Sequence, residues 1–165
     1  VTLSVALPTR RATLLLARRL ATILQVGDLV LLSGNLGAGK TFFVRGLARS
    51  LDLDPRERVT SPTFTLVHEL PTSTPIRHAD LYRLQSPRDL RELGLLEARD
   101  EAALLVEWGR PFLDALGGDA LCIDIALSPR TATIAATGER SKAMLNSLAQ
   151  TLPLPAPGAR RGDTG

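Results

Sequence analysis

The sequence predicts a single α/β domain with a mixed, mostly parallel sheet flanked by helices and with antiparallel strands at one side. Three observations lead there. The run LVLLS (Leu29 to Ser33) is apolar without alternation, the pattern of a strand buried on both faces. It enters a glycine-rich loop that at once opens a helix, the order of a unit with a parallel crossover. The turn PTSTP (Pro71 to Pro75) and a closing pair of strands around Ser128 and Pro129 supply the antiparallel pieces.

The elements follow in order. Leu3 to Leu7 reads as a short strand. Pro8 and Thr9 open a helix to about Leu24, with Leu16, Leu20, Ile23 and Leu24 on one face and Arg18 and Arg19 away from it. Val26 to Asp28 is a turn before Leu29, and a helix is expected from about Lys40 to Leu51. Within VTSPTFTLVHEL (Val59 to Leu70) a hydroxyl-rich loop gives way to a strand from about Phe64, which returns through PTSTP to Ile76 to Asp80 as a hairpin. SPRDLRELG is a short helix: Ser86 is its N-cap, Pro87 its first position, Asp89 completes the cap and Gly94 ends it. ALLVEW (Ala103 to Trp108) is a buried strand ending in a carboxylate. Ala120 to Leu127 and Arg130 to Thr137 are late strands, and Glu139 to Thr151 is a last helix. From Pro153 the Pro/Gly/Arg mixture reads as a disordered tail, so the domain is assigned to residues 1–152 and the tail to 153–165.

Composition narrows the classes. A chain of 165 residues, 44% hydrophobic, fits one domain with a sizeable core. No apolar run approaches the roughly 20 residues of a membrane span. The early stretch with Arg10, Arg11, Arg18 and Arg19 is neither a signal-peptide core nor a cleavage site. The expectation is a cytoplasmic protein without membrane association. The one cysteine, Cys122, cannot form an internal disulfide and is expected to be a buried core thiol. A net charge of +3 is a weak pull towards nucleic acid, and 4% aromatic content leaves few stacking platforms for single strands.

One residue type stands out. Of 20 basic residues only Lys40 and Lys142 are lysine. Lys40 completes Gly34-Asn35-Leu36-Gly37-Ala38-Gly39-Lys40-Thr41, which satisfies G-x-x-x-x-G-K-[ST] between a buried strand and a helix. Glycines let successive backbone N–H groups turn inward around a phosphate, and the helix adds its positive end. A compact ammonium on a flexible stem reaches the phosphates, where a forked guanidinium fits poorly. The Thr41 hydroxyl suits Mg²⁺. The domain is therefore P-loop NTPase-like.

Phosphoryl transfer also needs carboxylates. Asp80 ends IRHAD and Glu107 ends ALLVE, and strand-end carboxylates point to the edge where ligands bind in open α/β sheets. TSPTFT (Thr60 to Thr65) lies where nucleotide-dependent switches sense the terminal phosphate. His68 and His78 have no metal-ligand spacing to each other or to Cys122, and neither is read as a zinc ligand.

GNLGAGKT, SPTFTLV, HADLYRL and LLVEWG, in this order and spacing, resemble the TsaE (also called YjeE) family over roughly residues 5 to 150. The resemblance implies a bacterial P-loop ATPase, with ATP and Mg²⁺ as cofactors, that supports threonylcarbamoylation of adenosine 37 in tRNAs reading ANN codons. It implies that Leu36, Gly37, Ala38, Gly39, Lys40 and Thr41 hold the ATP phosphates and that Thr41 and Glu107 are metal ligands. Asp80 is then a second essential carboxylate near the metal and the attacking water, which makes Lys40, Asp80 and Glu107 the catalytic set. Trp108 flanks the site, Ser61, Pro62 and Thr63 form a switch-like loop, and the segments around Arg10 and Arg130 hold the adenine. Phe42 departs from the family's frequent second threonine, but Thr41 is intact. The implied partner is the TsaD–TsaB heterodimer, reset between turnovers, with tRNA acting through that complex.

Two other readings compete. A small-molecule P-loop kinase would use Arg83, Arg88 and Arg91 as a lid, and phosphate release without an acceptor discriminates against it. A non-catalytic nucleotide-sensing or RNA-binding module would show a concentrated basic face with aromatics, which the sequence does not display.

Overall fold

The computed structural model describes residues 1–152, and the tail expected from Pro153 lies outside the described residues. Strand β1 (Thr2–Ala6) leads through α1 (Arg10–Ala21) to β2 (Leu29–Ser33), and α2 (Lys40–Ser50) leads to the hairpin of β3 (Val67–Leu70) and β4 (Ile76–Asp80). The short helices α3 (Pro87–Glu92) and α4 (Leu95–Ala98) precede β5 (Ala103–Glu107), and a 3₁₀ turn at Arg110–Phe112 precedes β6 (Leu121–Leu127), β7 (Arg130–Ala136) and α5 (Glu139–Thr151).

The seven strands form one sheet in the order β1-β7-β6-β2-β5-β4-β3. Its middle, β6-β2-β5-β4, is parallel. Antiparallel pairs lie at both edges, β3 on β4 and β1-β7-β6, where the sequence placed them at one side. The difference arises because the β3–β4 hairpin joins the sheet through β5 and the β6–β7 hairpin joins it through β2, on opposite sides of the central pair, a long-range choice that local pattern does not encode.

The unbroken apolarity of β2 is explained by two cores. Val30 and Leu32 join a cluster with α1, α2 and α5, including Leu16, Leu20, Phe43, Leu47 and Leu148. Leu29 and Leu31 join the opposite cluster with Leu81, Leu90, Leu95 and Phe112. Full burial of each such side chain stabilises the fold by about 1.5–3 kcal/mol.

Local signals explain most termini. The Thr9 side chain accepts from Ala12 N–H and starts α1, which ends at Ala21 rather than Leu24 as a tight turn takes over before Gly27. Ser86 accepts from Asp89 N–H, with Pro87 at the first position of α3. Gly94, at φ +63°, ends α3 as expected and also starts α4, which the sequence reading did not contain. Helix α5 is capped from elsewhere: Asp119 accepts from Arg140 N–H and Ser141 N–H, both at 2.9 Å. A Cβ on Gly138 would lie 2.3 Å from Asp119 Cγ, so only glycine lets that carboxylate approach.

Phe64 to Leu66 is not strand, contrary to the expectation. Leu66 N–H donates to Pro62 O at 2.7 Å and Leu66 sits at φ +66°, so the chain turns before β3 begins at Val67. Cys122 is buried and unpaired, and burial pushes its thiol pKa up. No helix among the described residues is long and apolar enough to cross a membrane.

Candidate functional site

The carboxyl ends of β2, β4 and β5 meet at one edge. Register places Asp80 opposite Glu107 and Glu107 opposite Leu32, so two strand-end carboxylates stand side by side next to the loop that leaves β2. Both are buried, Asp80 at 4% and Glu107 at 2% exposure. They share a cavity of about 440 Å³ with Leu36, Gly37, Gly39, Lys40, Thr41, Phe42, Ser61, Thr63, Tyr82 and Trp108.

The loop from Gly34 to Gly39 is shaped by close approach. Gly34 lies at φ +142°, and a Cβ there would sit 2.6 Å from Ile125 O. Helix α2 begins with no side chain capping its N-terminus, so its first N–H groups remain free of the usual side-chain acceptor and face an anion's preferred end. Lys40, 6% exposed, donates to Gly34 O at 2.6 Å and Asn35 O at 3.1 Å, and its Nζ lies 4.6 Å from the Trp108 ring centre. Burial pushes the Lys40 pKa below its ordinary value, against the pull of Glu107 and Asp80.

The hydroxyls gather on the carboxylates. Thr41 donates to Glu107 Oε1 at 2.7 Å. The Ser61 hydroxyl lies against Asp80 Oδ2 and 3.2 Å from Glu107 Oε2, and its single proton serves one carboxylate at a time. Thr63 Oγ1 lies 3.2 Å from Ser61 Oγ and 3.4 Å from Asp80 Oδ2, and Tyr82 N–H donates to Asp80 Oδ1 at 2.9 Å. Ser61 and Thr63 are thus drawn onto the two acids, while Pro62 is buried beneath them.

Sequence reasoning set His78 aside, yet the imidazole is fully buried beneath the site with Nε2 3.5 Å from Glu107 Oε1. Burial alone would raise the Glu107 pKa. The contact with His78 and the hydrogen bonds from Thr41 and Ser61 outweigh it and hold the pKa below the ordinary value. The signal was present in the strand: His78 is two residues before Asp80, and period 2 puts both side chains on the same face. Tyr82, also not singled out, packs on Trp108 with ring centres 5.1 Å apart.

Trp108 lines the cavity, with φ at +58°, a region that bulky residues rarely occupy. The turn immediately after Glu107 therefore holds strained backbone at the site. Leu36 is 90% exposed, so its contribution to the loop is backbone. Ala38 is buried behind the loop, and Arg130 donates to its carbonyl at 2.7 Å. Arg10 lies over the Phe42 ring at 4.7 Å. Neither Arg10 nor Arg130 lines the cavity; each contacts a residue that shapes it.

Two buried carboxylates face one ammonium, beside a threonine hydroxyl and a helix N-terminus. That set of hard oxygen donors suits Mg²⁺, and the inward-turned loop suits a polyphosphate.

Comparison with known proteins agrees with the geometry. The family model for "Threonylcarbamoyl adenosine biosynthesis protein TsaE" matches residues 7–135. The chain is similar to the tRNA threonylcarbamoyladenosine biosynthesis protein TsaE of Streptomyces coelicolor, with 40% identity over 136 residues, covering 76% of this chain and 90% of that protein. It is similar to the protein of the same name from Mycobacterium leprae, 40% identical over 121 residues, with 67% and 74% covered. The match to that of Rickettsia felis is 46% identical over 94 residues and spans 56% of this chain and 54% of the relative. Among solved structures, Bacillus subtilus YdiB superposes with a TM-score of 0.76 at 28% identity, covering 91% of this chain and 95% of that one. With the phosphate loop, the paired strand-end acids and a family match over most of its length, the chain belongs to the TsaE family of threonylcarbamoyl adenosine biosynthesis proteins.

Proposed function

We propose that this protein is a Mg²⁺-dependent ATPase that binds the TsaD–TsaB pair and supports repeated threonylcarbamoylation of adenosine 37 in tRNAs reading ANN codons. The observation that carries the reading is the Thr41–Glu107 hydrogen bond of 2.7 Å at the start of α2, beside Asp80 and Lys40. The family's place in tRNA threonylcarbamoyladenosine biosynthesis supplies the process.

The chemistry follows from the side chains. Loop N–H groups and Lys40 would hold the phosphates, and Lys40 must leave Gly34 O and Asn35 O to reach them. Thr41 and Glu107 would hold Mg²⁺, which when bound neutralises charge on the phosphates. Asp80 would accept a proton from, or orient, the attacking water. Ser61 and Thr63, now on the carboxylates, would exchange those partners for the terminal phosphate, which would make the loop responsive to hydrolysis. Trp108 and Tyr82 form one side of the cavity.

The test is phosphate release with and without the TsaD–TsaB pair, read alongside tRNA modification. The expected result is Mg²⁺-dependent release together with modification beyond one round per complex. Modification over many rounds without ATP hydrolysis would overturn the reading.

A further inference from the structure

Helices α1 and α2 lie side by side on one face of the sheet. Arg10 covers Phe42, a Cβ on Gly46 would meet Leu14 Cδ2 at 2.7 Å, and Arg18 and Arg49 belong to the wall of one cavity. Apart from Lys40 in the phosphate loop, the two helices carry Arg10, Arg11, Arg18, Arg19, Arg45 and Arg49, and neither contains an Asp or Glu. Among the described residues none of these six arginines forms an ion pair. Arg45 and Arg49 donate only to backbone carbonyls, of Val59 and of Leu53, Asp54 and Glu57. Those bonds lay segment 57–59, with exposed Arg58, along the same edge of α2.

A preference for arginine over lysine accounts for the residue type but not for the missing acids. Helix α3 sets Asp89 and Glu92 against Arg88 and Arg91, and α5 pairs Lys142 with Glu139. Residues 1–60 hold nine basic and four acidic residues, whereas residues 61–165 hold eleven and thirteen. Three of those four acids, Asp52, Asp54 and Glu57, lie in the segment after α2, so the unbalanced charge sits on the two helices themselves.

We propose that the α1–α2 face binds the phosphodiester backbone of a structured RNA. Unpaired guanidinium forks match phosphate oxygens in geometry and charge. Arg11 and Arg18 are seven residues apart on one helix, a separation of about 10 Å along its axis, which lets them engage different phosphates. Leu14 and Leu15 are the large apolar side chains exposed on α1, at 40% and 45%, too little for the apolar centre of a protein interface. Without exposed aromatics on these helices the contact reads backbone and shape rather than bases. The family's role in tRNA modification brings such an RNA within reach. The inference rests on that role and not on ATP hydrolysis.

The experiment is fluorescence anisotropy of a labelled, unmodified tRNA transcript titrated with the full chain at several salt concentrations, without nucleotide. Wild type is expected to bind with a steep negative salt dependence. The triple variant Arg11→Gln/Arg18→Gln/Arg58→Gln should flatten the log–log salt slope by about 3, roughly 1 for each phosphate left without its guanidinium. Its melting temperature should stay at the wild-type value. The pair Arg88→Gln/Arg91→Gln on α3 should leave tRNA binding unchanged. Absence of tRNA binding by wild type, an unaltered slope in the triple variant, or an equal loss in the α3 pair would overturn the proposal. Normal tRNA binding by the triple variant with failed capture by TsaD–TsaB would also overturn it, and would assign the face to an acidic protein surface.

Discussion

Thr41 and Glu107 are 66 positions apart in sequence, yet the threonine hydroxyl donates to Glu107 Oε1 at 2.7 Å. The bond joins the first turn of α2 to the end of β5 at the place where both would ligate a cation. Glu107→Gln should therefore leave nucleotide affinity within a few-fold of wild type, because backbone N–H groups carry most of that binding. The Mg²⁺ concentration for half-maximal hydrolysis should rise at least tenfold, a ligand loss of about 1.4 kcal/mol. A Mg²⁺ titration of phosphate release checks it, and an unshifted midpoint at normal turnover removes Glu107 from the metal set.

Lys40→Ala should cut ATP affinity by about 10- to 100-fold or more, the value of a charged hydrogen bond removed. Lys40→Arg should fail as well, because the fork does not fit a loop that already wraps the ammonium with Gly34 O and Asn35 O. Calorimetric titration with ATP reads both, and wild-type affinity in either variant contradicts the assignment.

Asp80→Asn keeps an acceptor for Tyr82 N–H but loses the charge that draws Ser61 and Thr63. ATP should still bind. Hydrolysis should fall by about 10²-fold, the usual effect of losing a group that activates or orients the nucleophile. Modification should then stop after at most one round per complex. Repeated turnover by the variant would take Asp80 out of the catalytic set.

His78→Ala should destabilise the fold by about 2–4 kcal/mol through the cavity it leaves. It should also raise the Glu107 pKa, since burial pushes that pKa up and the imidazole is among the groups that bring it down. A lowered carboxylate pKa keeps Glu107 ionised well into acid, so the variant's acid limb of hydrolysis should move to higher pH. A pH–rate profile that stays in place while the melting temperature falls would limit His78 to packing.

Asp119→Ala removes the acceptor for two N–H groups of α5 and should cost about 1 kcal/mol. Burial opposes the charged form of Asp119, but the hydrogen bonds from Ser141 and Arg140 prevail and lower its pKa. Its contribution is present above the unfolded value of 3.8 and is lost as pH falls through the lower folded value. In thermal melts the gap between wild type and variant should be full at about pH 7 and should shrink as pH falls through the lowered folded value.

Short-range rules made much of the architecture legible. A two-sided apolar strand, the Thr9 and Ser86 caps and the glycine–lysine loop each act within a few residues, and each element stands where its residues place it. What escaped depends on distant partners. The pairing of β1 with β7 joins the two ends of the domain. The turn at Phe64 to Leu66 overrides β propensity because Leu66 bonds back to Pro62. At the site, the phosphate loop and both acids were readable as strand ends. His78 was legible only as a residue on the Asp80 face of its strand; its contact with Glu107 comes from the neighbouring strand, which the sequence does not align. The basic face was hidden for the same reason: its arginines are scattered in sequence and are gathered by the packing of α1 on α2.

Trp108 stands between two chambers. Besides the cavity shared with Lys40, it lines another of about 710 Å³ with Pro87, Arg110 and Asp124, and the two have only Tyr82 and Trp108 in common. It is also the protein's one tryptophan. The indole is thus a built-in optical gauge: with the Lys40 ammonium 4.6 Å from its ring, its emission should respond to movement of that charge. On the proposed function, nucleotide binding would draw that ammonium away, and the change in the protein's own fluorescence should time it.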